Sequence, residues 1–146
     1  MRDGTIDIVV SDHSPSTADL KHFDTGDFGT AWGGISSLQL GLSAVWTEAR
    51  QRGFTLSDVV GWMSRGPADQ TGLTHKGRIA VGADADFAVF APDSQQVIRA
   101  ERLHHKNPIT PYAGRNLTGT VRSTWLRGIR IDVAGPPRGR QLTRGE

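Results

Sequence analysis

Few stretches of this sequence bring together side chains able to do chemistry. Asp12 and His13 stand side by side in Ser11-Asp12-His13-Ser14-Pro15. A carboxylate there can hold a divalent cation or move a proton, whereas neighbours on an extended chain leave opposite faces and do not readily share one ion. His13 is therefore expected to be structural. His104-His105 meet the same objection, and His22 and His75 have no partner at ligand spacing, so these four histidines are expected at the surface. Asp84 and Asp86 have the spacing of paired catalytic carboxylates, yet they lie in Gly82-Ala83-Asp84-Ala85-Asp86, which reads as a turn between strands. Turn chemistry accounts for them. Gly33 and Gly34 offer backbone instead: without side chains they let N–H and C=O groups approach a ligand closely, or they serve a positive φ ahead of a helix. Both readings stay open. The chain has no cysteine, so a metal would have to rest on His, Asp or Glu, and a reducing cytosol fits that composition.

The elements that must position these residues follow from local pattern. Ile6 to Ser11 is a β-branched, nearly continuous apolar run, expected as a strand buried on both faces, with Asp12 at its C-terminal end. In α/β folds that end carries the chemistry. Residues 16–34 form a long Asp/Gly/Thr-rich loop, of a length usually kept for function. Ser36 or Ser37 is expected to cap a helix running to Arg52, with Leu38, Leu42, Val45, Trp46 and Ala49 at helical spacing and Gly53 beyond its end. Thr55 and Asp58 resemble a capping box ahead of Val59, and Pro67 can start a further turn that ends near Gly72. After Gly77 the pattern becomes strand-like. Residues 78–81 and 87–90, the latter bounded by Pro92, read as two short strands, and 119–126 with 129–133 reads as a hairpin turning at Arg127-Gly128. Residues 78–90 and 119–133 are expected to pair in one sheet.

With 146 residues and 36% hydrophobic content the chain can bury a core, and its 18 glycines and seven prolines favour an α/β or α+β fold with many turns. No run approaches a membrane span and no apolar leader follows Met1-Arg2, so a protein in the cytoplasm that engages no membrane is expected. Charge is split by segment. Residues 1–98 hold seven Lys/Arg against twelve Asp/Glu and residues 99–146 hold ten against three, so −5 and +7 give the net +2. The C-terminal arginines are interspersed with strand residues around a lone aromatic, Trp125, which argues for a solvated basic face and against nucleic-acid binding.

Three stretches together resemble the C-terminal region of allantoinases, within the urease-related superfamily of dihydroorotases and hydantoinases. They are Val10-Ser11-Asp12-His13-Ser14-Pro15, then Ala31-Trp32-Gly33-Gly34-Ile35-Ser36-Ser37-Leu38-Gln39, then Lys76-Gly77-Arg78-Ile79-Ala80-Val81-Gly82-Ala83-Asp84-Ala85-Asp86-Phe87. Asn107 to Gly114, through Leu126-Arg127-Gly128, continues the likeness. The resemblance implies the last part of a (β/α)8 barrel over residues 1–76, part of a small β-sandwich over 77–133, and a flexible tail over 134–146. It further implies hydrolysis of a cyclic amide such as allantoin, at a binuclear zinc centre built from an HxH pair, a carboxylated lysine, two histidines and one aspartate. Asp12 matches that aspartate, which ligates one ion and relays the proton of the attacking water; Gly33 and Gly34 match the loop bordering the substrate. A whole barrel takes roughly 250 residues, so the resemblance makes this chain an incomplete part, inactive alone, whose partners are a cyclic ureide and either copies of itself or a complementing N-terminal fragment. A noncatalytic remnant acting as an interaction module, and a dihydropyrimidinase or dihydroorotase relative, are the alternatives.

Overall fold

The computed structural model describes residues 1–143; the last three residues of the expected tail, 144–146, lie outside the described residues. Two bodies of secondary structure pack together over two buried clusters. Helix α1 (Gly41–Gln51) is entered through a 3-10 turn at Leu38–Leu40. It packs against an antiparallel sheet of order β1-β2-β3, formed by β1 (Phe87–Val97), β2 (Asn116–Leu126) and β3 (Ile129–Arg130). Helix α2 (Leu56–Val60) starts at the expected capping box: Thr55 N–H donates to Asp58 Oδ2 at 2.7 Å and Asp58 N–H to Thr55 Oγ1 at 3.2 Å. One wide π-helical turn, Gly61–Arg65, joins it to α3 (Gly66–Thr71). Pro67 explains that wide turn, because its ring would clash with the carbonyl four residues back in a regular helix. Gly72 closes the helix at φ +74°, as expected.

The burial that joins the bodies is modest. Leu40, Ile98 and Leu117 form one buried cluster, and Trp46, Ala49 and Val59 form another, against which Phe54, Trp62 and Phe90 pack. Val59, fully buried, contributes roughly 1.5–3 kcal/mol. Polar contacts fix the register of helix on sheet: Thr47 Oγ1 accepts Thr118 N–H at 2.9 Å, and Trp46 Nε1 donates to the Pro92 carbonyl at 2.9 Å. Gly119 is where the two meet most closely. At φ +91° it sits in the left-handed region, and a Cβ there would lie 2.1 Å from the Phe90 ring and 2.7 Å from the Trp46 ring.

Several expectations change. Residues 6–11 are not a strand: Ile6 and Val10 are 58% and 64% exposed, and the segment is tied down by Val9 N–H donating to the Trp62 carbonyl at 3.0 Å. A strand needs a neighbour to complete its ladder, and no other strand lies beside it among the described residues. Residues 78–81 fail for the same reason, with Ile79 and Val81 standing in solvent. Neither serine caps the long helix through its side chain, and the α-helix proper begins at Gly41. Strand β1 does not stop at Pro92 but runs on to Val97, the missing N–H being absorbed by an irregularity between Ala91 and Gln95. The expected pairing of 87–90 with 120s residues holds, with Phe87 opposite Trp125, and the hairpin turns at Arg127-Gly128 with both residues at positive φ. Its return strand is only Ile129–Arg130.

The exposed apolar side chains form a testable liability. Phe23, Phe28, Ile79 and Val81 are 72%, 97%, 87% and 108% exposed, and apolar surface on that scale recruits partners or dye. The purified chain is expected to bind 8-anilinonaphthalene-1-sulfonate and to sediment with concentration-dependent association. A cooperative melt of a dye-silent monomer is the contrary result.

Candidate active site

Asp12 leads into the site on a strained residue. Its φ is +41°, its side chain is exposed, and the next two residues are firmly held. Ser14 N–H donates to the Ile35 carbonyl at 3.0 Å, within a parallel bridge between His13 and Ile35. His13 Nδ1 accepts from the backbone N–H groups of Ser37 and Leu38 at 3.0 and 3.1 Å. Those N–H groups open the turn leading into α1 and have no partner within a helix, so an imidazole takes the place expected of a serine cap. Accepting two N–H bonds requires Nδ1 to be unprotonated, which sets the tautomer of His13 with its proton on Nε2. The structural role expected for His13 is what it performs. The turn carrying Asp12 is thereby locked to the exit of the glycine loop.

His105 departs from the expected surface position. Its Nδ1 lies 2.9 Å from Ser36 Oγ, its ring centroid is 5.2 Å from that of His13, and its Nε2 is buried with no hydrogen-bond partner among the described residues. Whichever of Ser36 and His105 donates, Nε2 is left as a buried group that cannot hold a second proton cheaply. Burial first, and then the neighbouring His13 and His104, push the His105 imidazole below its ordinary 6.5. Thr110 Oγ1 donates to the Ser36 carbonyl at 2.6 Å and His104 N–H to Gln39 Oε1 at 2.9 Å. Segment 104–110 thus clamps the end of the glycine loop. No spacing rule could have paired His105 with Ser36 across 69 residues. His22 is half-buried in the left-handed region at φ +48°, while His75 is exposed with Nδ1 3.0 Å from the Gly82 carbonyl.

The two glycines separate. Gly34 is required on two counts: φ is +87°, and a Cβ would lie 2.6 Å from Ser14. Gly33 has neither constraint, for nothing lies within 4 Å of its would-be Cβ. Asp84 and Asp86 belong elsewhere. Both pair with Lys76 Nζ, at 2.6 and 2.5 Å, and Asp86 also accepts Arg127 N–H at 2.8 Å. Burial opposes the Asp86 charge, but Lys76 and the Arg127 N–H prevail and hold its carboxyl below the usual range. The pair does not lie between two strands, since 78–81 forms none; it follows the turn closed by Ala83 N–H on the Ala80 carbonyl at 3.1 Å, and the ion pair with Lys76 accounts for it.

Among the described residues no group of three or more His, Cys, Asp or Glu could hold a metal ion. The donor set of this chain alone, one exposed carboxylate beside a histidine already committed to backbone N–H groups, does not fit the binuclear zinc centre that the resemblance implies. No helix among the described residues is long and apolar enough to cross a membrane.

With an exposed aspartate turn locked to a glycine loop, followed by helices and a small antiparallel sheet, the chain belongs to the amidohydrolase family, which it matches over residues 1–131. It is 58% identical to an allantoinase of Streptomyces avermitilis over 99% of this chain and 32% of that protein, and 45% identical to the allantoinase of Saccharomyces cerevisiae over 88% of this chain and 27% of that protein. Among solved structures it is similar to an L-hydantoinase (dihydropyrimidinase) from Arthrobacter aurescens, with TM-score 0.82 and 26% identity over 98% of this chain and 32% of that one. It is also similar to a dihydropyrimidinase from Brevibacillus agri, with TM-score 0.80 and 30% identity over 88% of this chain and 29% of that one. The chain spans about a third of the length of the relatives it matches.

Two outcomes follow for the loop. Gly34→Ala is expected to speed hydrogen exchange at the Ser14 amide by about tenfold, the cost of a side chain in the left-handed region, while Gly33→Ala leaves it unchanged. His105 is expected to titrate below 6.5 when its ring resonances are followed by NMR. Because its folded pKa is depressed, it contributes stability present above pH 6.5 and lost as pH falls from there through the folded value.

Proposed function

We propose that this chain is the C-terminal part of an allantoinase, which opens the hydantoin ring of allantoin by hydrolysis to allantoate in purine breakdown. In the completed protein residues 1–76 supply the segment that pairs as the last strand once a neighbour is present, the active-site loop and the terminal helices of a (β/α)8 barrel. Residues 77–133 supply part of a composite β-sandwich, and 134–146 a tail. The observation that carries the reading is the lock between Ser14 N–H and the Ile35 carbonyl, which sets the turn carrying Asp12 beside the glycine loop. Identity favours allantoin over related rings, being 58% and 45% with the allantoinases against 26% and 30% with the hydantoinase and dihydropyrimidinase.

In this reading Asp12 is the proton carrier. Its exposed carboxylate accepts a proton from the water that attacks a ring amide carbonyl, and returns it to the ring nitrogen as the C–N bond breaks. Gly33 and Gly34 meet the ring through their backbone. Asp12 is also the one metal ligand this segment adds; the remaining donors belong to an N-terminal region, in the same polypeptide or as a complementing fragment, and the whole works as a cytosolic homo-oligomer. His13 serves Asp12 by fixing the turn and takes no proton from substrate.

The test is steady-state allantoin hydrolysis after the missing barrel region is supplied by fusion or co-expression. The chain alone is expected to be inactive, the completed protein active, and Asp12→Asn to lose at least about a thousandfold in kcat by removing the proton acceptor. His13→Ala is expected to lose far less. Near-normal turnover in Asp12→Asn would sink the assignment.

A further inference from the structure

The most directed contacts outside the aspartate turn are made by Lys21. It ends a short 3-10 turn, Asp19–Lys21, beside Leu20, whose carbonyl accepts Trp32 N–H at 2.7 Å. That bond brings the two ends of the intervening loop together. Lys21 Nζ then donates to three successive carbonyls, those of Trp32 at 2.8 Å, Gly33 at 3.2 Å and Gly34 at 2.8 Å. An ammonium has three N–H donors and no acceptor, so the loop takes all of them. In extended backbone successive carbonyls alternate in direction, and turning those of Gly33 and Gly34 to one side needs the bend that φ +87° at Gly34 supplies.

A planar trans peptide points its N–H opposite to its C=O. Once three carbonyls converge on Lys21, the N–H groups of Gly33, Gly34 and Ile35, which belong to the same three peptides, leave the loop on its other side. Ile35 is held in the parallel bridge beside His13, its carbonyl taking the Ser14 N–H at 3.0 Å. Gly33 and Gly34 remain, with open space around Gly33. A cation on each carbonyl also polarises its peptide and strengthens the N–H as a donor. We infer that Lys21 is a positioning residue whose ammonium gathers the carbonyls of residues 32–34 and so aims the Gly33 and Gly34 N–H groups at a carbonyl oxygen of a cyclic ureide. This rests on the reading of the loop as substrate-binding.

The absence of cysteine from the chain makes a clean test possible. Lys21→Cys introduces a single thiol, and alkylation with 2-bromoethylamine rebuilds an ammonium of nearly the original reach. In the chain itself, hydrogen exchange over residues 31–38 is expected to accelerate about tenfold in Lys21→Cys and to return after aminoethylation, with α1 unchanged. In the protein completed with the missing barrel region, kcat/KM for allantoin is expected to fall about a hundredfold and to recover on aminoethylation, at equal metal content. Recovery separates lost positioning from a failure to fold. Exchange that ignores the substitution, or full activity in unmodified Lys21→Cys, overturns the inference and leaves the allantoinase reading intact. An inactive completed wild type overturns that reading and the ureide named here together, while the exchange arm still decides whether Lys21 sets the loop.

Discussion

The structure turns on the junction between the aspartate turn and the entry of α1. One imidazole nitrogen, His13 Nδ1, takes the first free N–H groups of the helical entry, and one backbone bond, Ser14 to Ile35, holds the two segments in parallel. Buried or half-buried backbone groups must find partners, and here satisfying them fixes the site geometry at the same time. The helix that begins at this junction carries Trp46 and Thr47 to the sheet. Through α1, the position of Asp12 is coupled to the register of β1 on β2.

The glycine loop is held at both ends by different chemistry. At its entry the Lys21 ammonium gathers carbonyls; at its exit Ser36, His105 and Thr110 form a clamp of neutral polar groups around a partly buried imidazole. Charge-assisted bonds at one end and a desolvated histidine at the other leave the middle of the loop little freedom. The strain at Asp12 sits directly before the His13–Ile35 bridge, where surrounding contacts can hold it.

Elsewhere the chain shows what happens when a segment has strand composition and no neighbour. Ile6 to Ser11 and Arg78 to Val81 are β-branched and apolar, yet neither forms a strand, because a ladder is a property of pairs. The first is tied by Val9 N–H to the Trp62 carbonyl, at the wide turn that Pro67 imposes on the helix, and at its end by Ser37 Oγ donating to the Ser11 carbonyl at 3.4 Å. Ile6, Val10, Ile79 and Val81 remain exposed, consistent with a chain that spans about a third of its relatives' length.

What the sequence determined by itself was local. The Thr55–Asp58 capping box, the Gly72 helix end and the Arg127-Gly128 turn each depend on a few adjacent residues, and each formed as read. The run of motifs from Asp12 through the glycine loop likewise carried the family. Tertiary structure decided what depends on residues far apart. It placed His105 against Ser36, drawing a histidine expected at the surface into a half-buried pair, and it gave His13 the capping role expected of serine. It distinguished Gly34, whose missing Cβ makes room for Ser14, from Gly33, which meets nothing. It gathered three carbonyls on Lys21, a residue with no signal in its neighbours. Periodicity reports which face a residue occupies, whereas burial, tautomer and convergence of donors arise only when the chain brings distant groups to hydrogen-bond distance.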